Sequence, residues 1–258
     1  MSAVPKPIKP SIRERVSKEE WEMRVDLAAA YQLAHIYKWT DLIYTHFSAR
    51  VPGTEDFLIN PYGLMFDEIT ASTLVKIDWE GKVIEDPLGM GVNEAGFVIH
   101  SCVHKARPEI NCVIHTHTRA GVAVSAMKCG LLPISQHAMM VQADIAYHDY
   151  EGIALYMEEQ ERMAHDLGSA KAMILRNHGL LALGKTVRAA FEVMYYLDCA
   201  CQIQIDACSA GMHNVQLMSD AAAKTTSGQF NRPNRPADHK DWPALLRMLD
   251  RRGVRYAE

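Results

Sequence analysis

The sequence predicts an α/β layered domain, on three observations. Short apolar runs bounded by Gly, Pro and Asn alternate along the chain with longer stretches of helical periodicity. The 258 residues suffice for one large domain with a sizeable core and need no disulfide staples. No GxGxxG or GxxxxGKS/T loop joins a strand to a helix, so a nucleotide-binding version of this plan is not expected.

The elements follow in chain order. Residues 1–16 carry three prolines and four basic residues against one acid, a composition that favours an extended, flexible arm. Ser17-Lys18-Glu19-Glu20 is a capping box, and Trp21, Val25, Ala28 and Ile36 continue at helical spacing, so a first helix should run to about Tyr37. From Leu42 the pattern shortens. Phe57-Leu58-Ile59, Leu74-Val75-Lys76-Ile77 and Val83-Ile84 read as strands of a meander or mixed sheet, separated by the turns Asn60-Pro61-Tyr62-Gly63 and Trp79-Glu80-Gly81-Lys82. Asn93 can cap a helix to about Ala106, closed by Pro108, with Phe97, His100 and His104 about a turn apart. A strand over 112–117 precedes a helix capped by Thr118. Ala172-Met173-Ile174-Leu175 is a short buried strand running into Arg176-Asn177-His178-Gly179, and a long helix from Thr186 ends near Gly211. Residues 228–239 read as a polar, Pro-containing linker to a last helix from about Trp242 to Arg251.

Composition narrows the function. The 27 basic and 31 acidic residues leave a net charge of −4, with no long single-sign block, so nucleic acid is not an expected partner. No apolar run approaches a membrane span, and the N-terminus lacks the apolar segment of a secretory signal, so the expected home is the cytoplasm. The six cysteines form no CxxC pair and read as small buried hydrophobes rather than zinc thiolates.

The histidines carry the chemistry. His115 and His117 are two apart in a predicted strand, where side chains alternate faces, so both imidazoles can reach one ion. His178 lies in a turn at the end of an apolar run, where it can be presented at a sheet edge. Glu94 falls in the first turn of the Asn93-capped helix, whose dipole favours a carboxylate. Three imidazoles and a carboxylate suit a borderline divalent ion such as zinc, with a position open to substrate.

These segments resemble the class II aldolase and adducin head-domain family. The resemblance rests on Thr45-His46-Phe47-Ser48-Ala49-Arg50-Val51-Pro52-Gly53, Phe57-Leu58-Ile59-Asn60-Pro61-Tyr62-Gly63 and Gly91-Val92-Asn93-Glu94-Ala95-Gly96. It continues through Val113-Ile114-His115-Thr116-His117-Thr118, Ala146-Tyr147-His148-Asp149-Tyr150 and Leu175-Arg176-Asn177-His178-Gly179-Leu180, in family order over about residues 20–215. It implies a three-layer α/β/α sandwich with a central mixed sheet, as a homotetramer with active sites at subunit interfaces. The chain would then divide into the arm 1–16, the domain 17–215, and a linker and helix, 216–258, packed on the domain or a neighbouring subunit.

The resemblance further makes His115, His117 and His178 ligands of a divalent metal, Zn²⁺ first and Mn²⁺ or another divalent ion next. Glu94 matches the family's acid/base glutamate. His137 falls near where the sugar-phosphate aldolases place an acid that reaches across the interface, and is the expected proton donor. Where those aldolases bind phosphate with small hydroxyl donors, this chain has His46-Phe47-Ser48, Tyr62-Gly63 and Val92-Asn93. The expected substrate is therefore a small non-phosphorylated hydroxy-carbonyl or aromatic carboxylate. Ser48, Asn60, Gly63 and Asn93 are the expected pocket positions, and His46 or Arg50 a partner for a carboxylate. The implied activity is a lyase that breaks a C–C bond through a metal-stabilised enolate, by aldol cleavage or decarboxylation. A retro-aldol epimerase uses the same residues. A non-catalytic, adducin-like interaction module is the reading from another class; adducin heads share several loops with this chain but usually carry glutamine at the position of Glu94.

Overall fold

Ser17 opens the first long helix as expected, its hydroxyl accepting the Glu20 backbone N–H at 3.1 Å. Only half of the predicted capping box forms, because the Glu20 carboxylate turns inward to Arg24 and Lys76. The computed structural model describes residues 11–152, 158–230 and 240–258, without the side chains of Glu94 and Ala95. Its helices are α1 (Ile12–Arg15), α2 (Lys18–Ile36), α3 (Glu94–Ala106), α4 (Arg119–Ser125), α5 (Gln136–Val141), α6 (Glu158–Leu167), α7 (Val187–Cys208), α8 (Asp220–Phe230) and α9 (Asp241–Arg251). Its strands are β1 (His46–Arg50), β2 (Phe57–Ile59), β3 (Val75–Ile77), β4 (Val83–Glu85), β5 (Cys112–Thr116), β6 (Ile145–His148), β7 (Ala172–Leu175) and β8 (Gly179–Gly184).

The strands form one sheet in the order β4-β3-β2-β1-β5-β8-β7-β6. It is mixed: β6 runs parallel to β7, whereas β1–β2, β1–β5, β2–β3, β3–β4, β5–β8 and β7–β8 are antiparallel. Alternation along each strand then builds two cores. Cys112, Ile114, Ala172, Ile174, Leu180 and Ala182 face a core shared with α2, α4, α5 and α7. Val113, Met173, Leu175, Leu181 and Leu183 face the other, against Val98, Ile99, Cys102 and Val103 of α3 and Met163 and Leu167 of α6. Helices thus cover both faces of a central mixed sheet, as the three-layer expectation requires.

Thr118 and Thr186 cap α4 and α7 through Gly121 and Ala189. Several expectations change. Residues 1–10 of the expected arm lie outside the described residues, but Ile12–Arg15 are helical: a capping box at Ser11 and Glu14 opens α1, which buries Ile12. Residues 231–239 of the expected linker are likewise outside the described residues, and Gly228 to Phe230 belong to α8. Strands β1, β6 and β8 were not among the expected strands, and the tertiary pairing defines them. Trp242 packs on its own chain, its ring 5.7 Å from Phe191 and its Nε1–H donating to Asp26 at 3.1 Å. Of the six unpaired cysteines, Cys102, Cys112 and Cys201 are buried, whereas Cys129 is exposed and Cys199 and Cys208 are half-buried. Among the described residues no helix is long and apolar enough to cross a membrane.

Candidate metal centre

His115 is the penultimate residue of β5 and lies on the α3 face of the sheet, two residues on from Val113. Its Nδ1 is 3.0 Å from the Leu180 carbonyl of neighbouring β8. A carbonyl only accepts, so Nδ1 carries the hydrogen and Nε2 presents a lone pair. His117 follows just beyond the strand, with Nδ1 2.9 Å from Oδ2 of Asp41. The carboxylate again fixes the hydrogen on Nδ1. The two Nε2 atoms stand 3.0 Å apart, close enough to ligate one ion together.

His178 supplies the third imidazole from the β7–β8 turn. The turn is made by Asn177 in the left-handed conformation, φ +56°, and closed by the His178 N–H donating to the Leu175 carbonyl at 3.1 Å. Gly179 lets this turn lie against the end of β5: a Cβ there would stand 2.4 Å from the Thr116 carbonyl and 3.0 Å from the His117 ring. The His178 ring centroid lies 4.9 Å from that of His115 and 4.8 Å from that of His117. One ligand atom from each ring falls within 4.8 Å of the others. Burial holds the His115 ring well below the usual imidazole range, and burial followed by the neighbouring His117 pulls His178 down to about 4. Both are neutral ligands at neutral pH. The donor set fits a divalent ion, and the Leu180 carbonyl and the Asp41 carboxylate already orient two of its three members.

A layer of further histidines backs this centre. His46 pairs with His115 across β1 and β5, and its ring stacks on His115 at 6.3 Å between centroids. On its other side lies Gly96, whose absent side chain makes the room: a Cβ would meet the His46 ring at 2.6 Å. The first turn of α3, which begins at Glu94, is therefore one ring's thickness from His115. Among the described residues neither ring nitrogen of buried His46 has a hydrogen-bond partner.

Ser48 does not open onto this centre. His104 Nδ1 is 3.2 Å from the Ile110 carbonyl and so carries the hydrogen. Ser48 Oγ–H must then donate to His104 Nε2, at 2.8 Å, and accept from His100 Nδ1. The hydroxyl's donor and its buried acceptor side are both used. Asn60 Oδ1 accepts from the Tyr31 hydroxyl at 2.8 Å, in a site 3% exposed. Arg50 sits at the other end of β1 from His46, with its guanidinium donating to the His104 carbonyl at 2.9 Å and lying over the Phe57 ring. Ser48, Asn60 and Arg50 thus each have internal hydrogen-bond partners in this structure.

The Gly63 turn lies against the 89–93 loop, where the Tyr62 N–H donates to the Gly91 carbonyl at 2.9 Å. Asn93 lies at the N-terminal end of α3, its carbonyl accepting the Phe97 N–H at 3.2 Å, and it is half-buried. The Glu94 side chain lies outside the described residues. His137 is the second residue of α5 and its ring contact is with Tyr196 of α7, at 6.0 Å, not with the three histidines. Two neighbours of the centre were not among the expected site residues. Asp41 is far from His117 in the chain, and Tyr150, 54% exposed, lies 6.3 Å from His178 between ring centroids.

The backing layer sets an acid limit. Burial takes His104 from the usual 6.5 down to about 3. Between those values the unfolded chain binds a proton that the folded chain refuses, so stability falls as pH falls. That one residue removes about 1.4 kcal/mol per pH unit, or roughly 2–3 kcal/mol by about pH 4.5. Urea unfolding of the metal-free protein should show this, and His104→Gln should flatten the slope; an equal slope in both proteins refutes it.

Residues 25–205 match the family described as "Class II Aldolase and Adducin N-terminal domain". An aldolase II superfamily protein from Pseudomonas syringae is similar in structure with a TM-score of 0.92, at 52% identity, over 96% of this chain and 100% of that one. L-fuculose 1-phosphate aldolase from Glaciozyma antarctica PI12 is similar with a TM-score of 0.80, at 28% identity, over 98% of this chain and 97% of that one. Alpha-adducin of Mus musculus is 42% identical over 92% of this chain, which spans 34% of the adducin's length.

Proposed function

The chain belongs to the class II aldolase and adducin N-terminal domain family, and from that premise we propose that it is a divalent-metal-dependent lyase. It cleaves a C–C bond in a small non-phosphorylated hydroxy-carbonyl or aromatic carboxylate, by aldol cleavage or decarboxylation. One observation carries the reading: three imidazoles converge on one point with the lone pairs of two of them already aimed at each other. His115, His117 and His178 would hold the ion, Zn²⁺ before Mn²⁺ on the three-imidazole donor set. When bound, the ion supplies Lewis-acid stabilisation of negative charge developing on a substrate oxygen.

The chain's own residues do the rest. Glu94, in the first turn of α3, carries the proton to or from the substrate, where the helix N-terminus favours its carboxylate form. His46, packed between Gly96 and His115, forms the wall behind the ligands and excludes water there. Substrate enters by the Gly63 turn and the Asn93 loop, which are tied together at Tyr62 and Gly91. Neither position offers the Ser or Thr hydroxyls that hold a phosphate. His137 donates the second proton in a homotetramer with active sites between subunits, since within one chain its ring meets Tyr196 instead. The six unpaired cysteines suit a reducing cytoplasm.

The test combines elemental analysis with a screen for aldehyde and CO₂ release over hydroxy acids and hydroxylated aromatic acids, on the wild type and Glu94→Gln. We expect about one divalent ion per chain and a rate loss of about 10²–10⁴ in the variant, the range for a lost acid/base group. A protein that never holds an ion overturns the metal reading. An unchanged rate in Glu94→Gln overturns the role of that residue, and product isomerised without fragments identifies the epimerase. The 42% identity to alpha-adducin favours one other reading, a metal-stabilised interaction module, which an ion-loaded protein silent across the whole screen would support.

A further inference from the structure

Asp41 lies in the loop between α2 and β1, 76 residues from His117 in the chain, yet its Oδ2 meets His117 Nδ1 at 2.9 Å. The loop is built to bring it there. α2 ends in a Schellman turn, with Trp39 N–H donating to the Ala34 carbonyl and Lys38 N–H to the His35 carbonyl. Lys38 occupies the left-handed position of that turn, φ +61°, where glycine is the usual residue. Trp39 is then pinned by its indole N–H donating to Asp198 at 2.9 Å. Asp41 and Tyr44 form an isolated bridge, closed by the Tyr44 N–H donating to the Asp41 carbonyl at 2.9 Å.

Leu42 and Thr45 within the same loop also take positive φ, +50° and +70°. Among the described residues the only other non-glycine at positive φ is Asn177, beside His178. Three of the four thus lie in the loop that carries Asp41, and the fourth adjoins His178. Backbone of this kind is unfavourable by about 1 kcal/mol or more per residue and persists where the surrounding fold over-determines it. An ordinary half-exposed ion pair contributes less than about 1 kcal/mol and gives no reason for three such residues in eight positions.

We propose that Asp41 is a positioning residue for the metal centre: its carboxylate holds the His117 ring with Nδ1 protonated and Nε2 turned to the ion. The inference rests on the metal reading above and adds what sets the affinity. An acceptor on Nδ1 fixes the tautomer that can ligate and raises the basicity of the ligating nitrogen. An amide at the same place can instead donate to Nδ1, which moves the hydrogen to Nε2 and blocks the lone pair.

The experiment measures Zn²⁺ affinity of the full-length wild type and Asp41→Asn by competition with a chromogenic chelator, alongside the His117 tautomer in the metal-free proteins by long-range ¹H–¹⁵N NMR. Expected are Zn²⁺ binding weakened about 10–100-fold in Asp41→Asn, and His117 protonated on Nδ1 in the wild type but on Nε2 in the variant. Wild-type affinity in Asp41→Asn overturns the role of Asp41 and leaves the metal reading intact. A wild-type His117 protonated on Nε2 overturns it without recourse to the variant. Wild-type protein with no affinity for Zn²⁺ overturns the metal reading, and this inference with it.

Discussion

His115→Ala should leave a folded protein that retains close to no divalent ion after dialysis and has lost at least about three orders of magnitude in cleavage rate. The size follows from what the residue holds. Its Nε2 is the proposed ligand atom, facing His117, and its Nδ1 is the donor to the Leu180 carbonyl that locks the ring. Lewis-acid stabilisation supplied by a bound ion is worth several kcal/mol of transition-state charge, and each 1.4 kcal/mol is tenfold in rate. Folding should survive, because the methyl group left behind is apolar and the carbonyl of Leu180 remains in the β8 ladder opposite β5. Circular dichroism, elemental analysis and initial rates on one preparation decide the matter. Retention of both ion and rate would remove His115 from the centre.

Arg24→Met should produce the largest loss of stability of any single change considered, about 3–5 kcal/mol, the range for breaking a buried charge network from one side. Arg24 is fully buried in the middle of α2. Its Nε donates to Glu20 at 3.0 Å, one Nη to Glu85 at 3.1 Å, and the other to the Leu74 carbonyl at 2.9 Å. Glu85 is in β4 and Lys76, the second partner of Glu20, is in β3, so the guanidinium fastens the helix to the outer strands of the sheet. Methionine fills much of the volume but leaves Glu20 with Lys76 alone and Glu85 with the exposed Arg15. For a domain of this size the loss corresponds to roughly 6–20 °C in the melting temperature. A change below about 1 kcal/mol in urea unfolding would show that Lys76 and Arg15 carry the two carboxylates unaided.

Much of this was legible in the chain, for reasons that differ by element. Ser17, Thr118 and Thr186 announce helix starts because a cap is made by residues three apart, a purely local event. His115 and His117 declare a shared face through the two-residue period of a strand, and His178 through its turn. Each of those signals is short-range. The hydrogen bonds of Ser48 show the opposite case. Its partners His100 and His104 lie in α3, 52 and 56 residues on, and no local pattern announces them. Arg50 and Asn60 were drawn inward in the same way, by His104 and by Tyr31. The helical turn at Ile12 was masked by a proline-rich, basic composition that says nothing about one buried side chain.

The sequence by itself determined the alternation of strands and helices, the two-residue histidine pair and the absence of a phosphate-binding loop, because each depends on neighbours a few residues apart. Only the tertiary structure decided which nitrogen of His115 and of His117 is free. That depends on the Leu180 carbonyl, supplied by sheet pairing, and on Asp41, supplied by a loop with three left-handed residues. Hydrogen-bond partners remote in the chain have no periodicity to betray them, and they leave the Nε2 atoms of those two rings facing each other.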